Sequence, residues 1–291
     1  MVEKRIKIAK ADIIKAFEES TYNIYKRSDI DRILEDNRAF WRLRRAMTVD
    51  EFIKFLLQET KLKKVSFGFP NRKIIKYVWG ETPLYELLMT LQPACYFTHY
   101  TAMYLHGLTE QVPKTIYVNK EQTAKSRGEG ALTQERIDFA LRRPTRISNN
   151  FTEYQNYKIY LLNGKNTGNL GVIQMNGPEE EKIRVTDIER TLIDVTVRPI
   201  YAGGVFEVLK AYKLARPKVS VNKLTATLKK LDYIYPYHQA VGFYLERAGV
   251  YRESSISLLK KFGFKYDFYL MHQIKEKEYS KRWHLYFPKG L

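Results

Sequence analysis

The sequence predicts an α+β fold, with an N-terminal winged helix-turn-helix followed by a mixed α/β body and a helical C-terminal part. Three amphipathic helical patterns and then two short β-like runs occupy residues 1–80, which is the element order of a winged helix. Short strand patterns separated by Gly, Asn and Pro fill residues 157–186, and helical patterns dominate after residue 203. These changes of pattern predict three domains, residues 1–80, 81–200 and 201–291.

The first two helices are predicted from apolar spacing. Residues 10–19 place Ile13, Ile14 and Phe17 on one face. A second helix is expected after Ser28, which forms a weak capping pattern with Asp31. Both helices are therefore expected to bury one apolar side against the rest of the first domain.

The third helix has the clearest start signal, a capping box formed by Thr48 and Glu51. Apolar residues then recur at helical spacing through residue 57. Two β-like runs follow at residues 61–69 and 73–79, joined by a turn that begins at Pro70. In a winged helix, this third helix enters the major groove and the two-stranded ribbon forms the wing.

Positive charge is concentrated between residues 38 and 76. This stretch carries eleven Lys or Arg against three acidic residues, a local net charge of +8, within a chain whose net charge is +18. Residues 1–80 hold 19 basic and 11 acidic residues, again +8, so the excess of the first domain lies in this one stretch. Such a surface favours a polyanion, and double-stranded DNA is the expected partner.

The candidate DNA-binding residues are the basic and amide side chains of this stretch. Contacts to phosphates or the minor groove are expected from Arg42, Arg44, Arg45, Lys61, Lys63, Lys64, Arg72, Lys73 and Lys76. Lys54 and Gln58 are candidates for base edges, because both lie on the outward face of the third helix. Asp50, near the start of that helix, is a poor neighbour for phosphate and weakens base readout there.

The middle of the chain is expected to combine helices with short strands. A linking helix over 81–92 precedes a helix for which Thr98 is a plausible N-cap. A strand at 115–119, a polar loop at 120–130 and a helix at 134–141 follow. Residues 157–186 read as a three-stranded meander, and Thr186 with Glu189 reads as a capping box for the next helix.

The C-terminal part is expected to be helical. Helices are predicted from Gly203, after the cap residue Ser220, from Pro236 to Gly249 and over 254–262. The last two apolar runs, residues 264–270 and 282–288, alternate like the strands of a closing hairpin.

Several function classes are disfavoured by the sequence. The single cysteine, Cys95, permits neither an internal disulfide nor a cysteine-based metal cluster. The N-terminus resembles no signal peptide and no long apolar run is present, so a cytoplasmic protein without membrane contact is expected. No phosphate-cradling GxxxxGK[ST] motif occurs, and no cofactor is expected.

The sequence disfavours two enzymatic alternatives. His99 and His106 are seven residues apart, whereas metal-binding pairs on a helix are usually four apart, so a metal site is not expected. Glu180 and Lys182 match half of a nuclease signature, but a charged turn explains them equally well. No catalytic residue is therefore assigned, and the chain is expected not to be an enzyme.

Two stretches resemble a known family. Residues 96–108, YFTHYTAMYLHGL, followed by Pro113, are similar to the S-x-x-Ala-x-x-x-His-Gly-Leu…Pro segment of AbiEi-type antitoxins. Residues 184–194, RVTDIERTLID, followed by residues 201–204, resemble the T-x-x-Glu-Arg-Thr-Leu-x-Asp segment of the same family. With the predicted winged helix, the resemblance spans residues 10–215. It implies an antitoxin of a type IV toxin–antitoxin system used in abortive infection and phage defence.

The resemblance also implies how such a protein works. Members repress their own promoter through an N-terminal winged helix, and their C-terminal part neutralises a nucleotidyltransferase toxin. Two features depart from the family pattern: the connection at residues 38–47 is long, and the chain beyond residue 215 matches no motif. From the residues alone, a non-catalytic protein whose basic surface binds an acidic protein partner remains an alternative.

Overall fold

A computed structural model of the chain describes residues 2–124 and 131–291, with side chains from residue 5 onward. These residues form two compact units that divide between Leu91 and Gln92. The predicted α+β class is confirmed at the level of a mixed architecture, since the described ranges contain twelve α-helices and three sheets. None of these helices is long and apolar enough to cross a bilayer. The expected polar loop at 120–130 lies largely outside the described residues.

The first unit combines helices with a three-stranded sheet of order β1-β3-β2. Its elements are α1 Val2–Ile8, α2 Lys10–Glu18, β1 Ile24–Tyr25, α3 Arg27–Asn37, α4 Val49–Glu59, β2 Leu62–Phe69, β3 Arg72–Trp79 and α5 Leu84–Met89. The three predicted helices correspond to α2, α3 and α4, and the two β-like runs pair as the antiparallel ribbon β2–β3. Ser28 does not cap α3; the carboxylate of Asp29 accepts the Lys26 backbone N–H at 2.8 Å instead.

The helices of the first unit pack around one apolar core. Ile13, Ile30, Leu34 and Phe52 are completely buried in it. Burial of each such side chain contributes about 1.5–3 kcal/mol to folding. These positions are the ones that the helical spacing placed inward, so the apolar pattern determined which face of each helix is buried.

The long connection between α3 and α4 is held by one arginine and one tryptophan. Arg38 donates from Nη1 to the carbonyl oxygen of Arg44 at 2.7 Å and from Nη2 to that of Met47 at 3.0 Å. Trp41 is 3% exposed and its ring stacks on Phe52 with centroids 5.7 Å apart. The connection is therefore anchored at both its polar and its apolar positions.

Helix α4 begins with the predicted capping box. The backbone N–H of Glu51 donates to Thr48 Oγ1 at 3.2 Å, and the Glu51 carboxylate accepts the Thr48 N–H at 2.9 Å. We expect Thr48→Ala to lower the free energy of unfolding of the first unit by about 1 kcal/mol, because it leaves N–H groups at the helix start without acceptors. Urea denaturation checks this, with Thr48→Ser as the matched control. A loss as large in the serine variant, which keeps the hydroxyl, would contradict the capping role.

The second unit contains a six-stranded mixed sheet, a group of helices and a small three-stranded sheet. Its strands are β4 Tyr96–Phe97, β5 Thr115–Glu121, β6 Phe151–Tyr154, β7 Tyr157–Gly164, β8 Val172–Asn176, β9 Lys182–Thr186, β10 Phe268–Tyr269, β11 Lys277–Ser280 and β12 Leu285–Pro288. Its α-helices are α6 His99–Leu105, α7 Gln134–Arg142, α8 Ile188–Val197, α9 Val205–Ala215, α10 Val221–Leu231, α11 Tyr237–Arg247 and α12 Glu253–Ile256. Short 3-10 helices cover Pro199–Tyr201 and Ser257–Phe262, the second within the predicted helix over 254–262.

The predicted meander at residues 157–186 is wrong in its first pairing, although its three strands exist and β8 pairs with β9 in antiparallel fashion. The sheet order is β6-β7-β5-β4-β9-β8, so β7 and β8 lie on opposite sides of the central pair. Strand β7 pairs in parallel with β5, and β9 pairs in parallel with β4. Periodicity and turn residues indicate a strand but carry no information about which distant strand it pairs with.

The predicted closing hairpin is also wrong. Strand β12 pairs in parallel with β10 and in antiparallel fashion with β11, which lies between them in sequence. Strand β11 contains Lys277 and Glu278 and is exposed over most of its length, so its pattern gives no apolar alternation. The sequence pattern therefore did not predict β11 as a strand of this small sheet.

One apolar core joins residues on both sides of the expected domain boundary at residue 200. Leu192 and Ile193 of α8 lie in it with Val208 of α9 and Tyr244 of α11, all completely buried. The core continues to Leu285 in β12. Residues from 92 onward therefore form one unit, where the sequence patterns suggested two segments.

Candidate nucleic-acid interface

Most of the predicted DNA-binding residues are at the surface of the first unit. Nine are exposed: Arg42, Arg45, Lys54, Gln58, Lys61, Lys63, Lys64, Arg72 and Lys73. Arg44 is half-buried. Lys54 and Gln58 lie on the outward side of α4, opposite the buried residues Phe52 and Leu56. Their expected position on the helix is thus observed.

The predicted DNA contact of Lys76 is wrong. This side chain is only 3% exposed and cannot reach a phosphate from that position. In the ribbon, Lys76 pairs with Val65, and strand alternation places it on the same face as Phe67 and Val78. Around Lys76 that face is buried, since Phe67 is completely inaccessible to solvent and Val78 is 5% exposed. Lys64 and Lys73 lie on the other face, where Lys64 pairs with Tyr77 and Lys73 with Gly68.

The acidic start of α4 is neutralised by two arginines. Arg27 forms a two-point ion pair with Asp50, with both N–O distances at 3.0 Å, and this hydrogen bonding holds the pKa of the Asp50 carboxyl below its ordinary value. Arg44 pairs with Glu51, whose pKa is lowered first by the Thr48 backbone hydrogen bond and then by Arg44. The repulsion that Asp50 would exert on a phosphate is therefore reduced, and Arg44 is partly engaged within the protein.

Two of the predicted wing lysines also have acidic partners. Lys61 Nζ lies 2.9 Å from Glu18 Oε1, and Lys63 pairs with Glu81. Both pairs are well exposed and each contributes less than about 1 kcal/mol, so a phosphate could displace the carboxylate at small cost. Lys61 and Lys63 are weaker candidates than the sequence suggested.

Five predicted cations have no acidic group within 4 Å in the parts of the chain that the structure describes. We call them the unpaired cations: Arg42, Arg45, Lys54, Lys64 and Lys73. Arg42 and Arg45 belong to the connection before α4, Lys54 to the outward side of α4, and Lys64 and Lys73 to one face of the ribbon. Positive charges that the protein leaves without a counter-charge are the ones available to a polyanion.

In the second unit, the two stretches that carry the family resemblance contact each other. Strand β4, at the start of the first stretch, pairs with β9 at Phe97 and Val185. Thr98 Oγ1 donates to Asp194 Oδ2 at 3.1 Å, and His106 Nε2 lies 2.6 Å from the carbonyl oxygen of Thr186. Residues almost a hundred positions apart in sequence thus form one hydrogen-bonded centre beside α8.

A buried ion pair lies in this centre. Arg190 Nε is 2.7 Å from Asp194 Oδ1, and the two side chains are 5% and 8% exposed. Arg190 Nη1 also donates to the carbonyl oxygen of Leu170 at 2.8 Å. Every polar contact of this kind reduces the cost of burying the charges, and the pair joins α8 to the loop that precedes β8.

The predicted capping box at Thr186 is wrong. Asp187 caps α8 by accepting the Arg190 N–H at 2.7 Å, while Thr186 Oγ1 bonds to Thr191 Oγ1 at 2.8 Å. Glu189 accepts the backbone N–H of Ser220, the residue that caps α10 as predicted. Sequence spacing identified the helix start to within one residue, but an aspartate directly before the helix is the better N-cap.

The residues of the nuclease and metal-site alternatives occupy structural positions in the fold. Asn176 bridges Glu180 and Lys182 at the turn between β8 and β9. His106 hydrogen-bonds to the Thr186 carbonyl, and His99 lies at the first position of α6. No group of three or more His, Cys, Asp or Glu side chains able to hold a metal occurs within residues 2–124 and 131–291.

Comparisons with known proteins give a likeness of fold. No protein-family model matches the chain, and no curated protein matches it in sequence. The crystal structure of the RV2827C protein from Mycobacterium tuberculosis is similar, with a TM-score of 0.58 and 12% sequence identity over 94% of this chain and 89% of that chain. At this identity the similarity concerns the fold alone.

Proposed function

We propose that the chain is a DNA-binding antitoxin and transcriptional autorepressor that acts in the cytoplasm. Its first unit would be a winged helix-turn-helix in which α4 enters the major groove and the β2–β3 ribbon is the wing. The element order α2-β1-α3-α4-β2-β3 and the sheet order β1-β3-β2 support this assignment. The partners would be its own promoter and a nucleotidyltransferase-type toxin.

The observation that carries the DNA-binding half is the placement of the unpaired cations. They belong to the connection before α4, to α4 itself and to the ribbon, the elements that face DNA in a winged helix. Lys54 and Gln58 would read base edges, while Arg42, Arg45, Lys64 and Lys73 would hold phosphates. Arg27 supports this arrangement by neutralising Asp50 at the start of the same helix.

The antitoxin half rests on the two stretches that resemble AbiEi-type antitoxins. The two stretches contact each other through the pairs Thr98–Asp194 and His106–Thr186. These contacts explain why a fold of this kind would need both stretches. They support a shared architecture of the second unit, which is where toxin neutralisation would take place.

Charge reversal separates the two halves of the proposal. Lys64→Glu combined with Lys73→Glu should weaken binding to the upstream promoter by about 100-fold, because two phosphate contacts become repulsions. Neutralisation of a toxin encoded by the neighbouring gene should be unchanged. Promoter binding is measured by fluorescence anisotropy, and neutralisation by growth after co-expression.

The control reverses the charge of one lysine elsewhere. Lys281 is exposed in the second unit, and Lys281→Glu should leave promoter affinity nearly unchanged apart from the small effect of net charge. If the ribbon variant keeps its promoter affinity but loses neutralisation, the basic surface binds an acidic protein partner and the DNA assignment is wrong.

A further inference from the structure

A cavity of about 460 Å³ lies in the second unit between the large sheet and α8. Asn119 and Asn163, near the ends of β5 and β7, line it together with Arg190 and Asp194 of α8. Its volume is within the range of about 300–1,000 Å³ that small-ligand sites occupy. Neither the proposed DNA surface nor the toxin resemblance requires such a space.

The charges around this cavity are mostly positive. Four cationic side chains line it, Arg146, Lys165, Arg190 and Arg198, against one carboxylate, Asp194. That carboxylate is already satisfied by Arg190 Nε at 2.7 Å and by Thr98 Oγ1 at 3.1 Å. The Asp194 carboxylate is therefore engaged by groups of the lining itself.

Two of these cations are available to a ligand. Arg146 and Arg198 are both exposed, and neither has an acidic group within 4 Å among the residues that the structure describes. They come from different elements: Arg198 follows the last residue of α8, and Arg146 lies in the segment between α7 and β6. Two guanidinium groups from separate elements that line one space are suited to hold a phosphate at two points.

A buried polar atom without a partner lies in the same lining. His99 Nδ1 is out of contact with solvent, and no hydrogen-bond partner for it exists in the described ranges. Burial lowers the pKa of His99 to about 4, so the ring is neutral near pH 7 and carries one N–H donor. Buried polar groups are usually hydrogen-bonded, so His99 Nδ1 needs a partner that the described part of the chain does not supply.

The backbone at His99 is strained as well. Its φ is +52°, in the left-handed region that a residue other than glycine rarely adopts. Such conformations cost about 1–3 kcal/mol and cluster at sites where the side chain must be presented in one direction. The ring is held in place by edge contact with Tyr201, whose centroid is 5.4 Å away.

We propose that this cavity binds a small organic phosphate, with Arg146 and Arg198 on the phosphoryl group and His99 on a polar atom of the remainder. A concave space of this volume favours a small molecule over duplex DNA, which would cover an open surface. The proposal is independent of promoter binding and of toxin neutralisation, and it adds a ligand to a unit for which none is otherwise expected.

Calorimetric titration of the full-length chain with AMP, inorganic phosphate and adenosine tests the proposal. AMP and inorganic phosphate should bind and adenosine should not, because the arginines recognise the phosphate. Arg146→Gln and Arg198→Gln should each weaken AMP binding by about tenfold or more, since each removes a charge-assisted hydrogen bond. Both side chains are exposed, so the melting temperature without ligand should stay within about a degree, a small shift typical of surface changes.

Arg252→Gln is the matched control, because Arg252 is also exposed but lines a different recess of about 210 Å³. It should leave AMP binding unchanged. Adenosine binding as tight as AMP binding, no binding of any probe at millimolar concentration, or sensitivity only to Arg252→Gln would each overturn the assignment. Loss of duplex DNA binding in the Arg146 and Arg198 variants without any AMP binding would assign the cavity to a nucleic-acid surface instead.

Discussion

The affinity of the chain for its promoter is expected to fall about 150-fold when monovalent salt rises from about 50 to about 200 mM. Each phosphate contact releases condensed counterions, and the slope of log K against log salt is about −0.9 per contact. The four unpaired cations that would hold phosphates, Arg42, Arg45, Lys64 and Lys73, therefore give a slope of about −3.6. Fluorescence anisotropy at several salt concentrations measures it directly.

A matched pair of variants shows whether the ribbon lysines supply these contacts. Lys64→Gln with Lys73→Gln should reduce the magnitude of the slope by about 2. Lys10→Gln should leave the slope unchanged, because Lys10 pairs with Glu59 at 3.1 Å. A promoter affinity that does not depend on salt would show that the charge of this surface plays no part in DNA binding.

The second large effect concerns the buried ion pair of the second unit. Replacement of Arg190 by methionine should lower the free energy of unfolding by about 3–5 kcal/mol, because it leaves the Asp194 carboxylate buried without its counter-charge. Arg190→Met keeps most of the side-chain volume. The decrease in the free energy of unfolding therefore measures the loss of the charge and not the opening of a cavity. Urea denaturation followed by circular dichroism measures the change.

Two further variants distinguish the cost of burying an unpaired charge from the attraction between the two charges of an ion pair. Arg190→Met with Asp194→Leu should recover much of the loss, since no unpaired charge remains. Lys289 pairs with Glu276 at 3.5 Å, and their side chains are 68% and 77% exposed. Lys289→Met should therefore cost less than about 1 kcal/mol. An equal cost for Arg190→Met would mean that solvent screens the inner pair as well.

Much of the local structure could be predicted from the sequence because its causes are local. The capping box at Thr48, the N-cap at Ser220 and the apolar spacing of α2, α3 and α4 all depend on residues a few positions apart. Helix α1 was not predicted, and α5 is six residues long where a helix over 81–92 was expected. Short helices depend more on tertiary packing than on their own pattern.

Strand pairing was predicted only where a short turn imposed it. The β2–β3 ribbon was correct because two residues connect its strands. The parallel pairs β5–β7 and β4–β9 could not be predicted, since each joins strands separated by long crossovers. The same limit affected the small sheet at the C-terminus, where the neighbour of β12 on one side is the distant strand β10.

Among the candidate interface residues, the sequence by itself determined charge and the outward side of α4. It identified eleven candidates from local composition and helical spacing, and these are properties of neighbouring residues. The tertiary structure alone decided that Lys76 is buried and that Arg44, Lys61 and Lys63 pair with acidic residues. It also brought together Thr98, Arg190 and Asp194 and left His99 unpartnered beside a basic cavity. The physical reason is range: a helix face or a cap is set within one turn, whereas burial, ion pairing and cavities depend on which distant segments pack together.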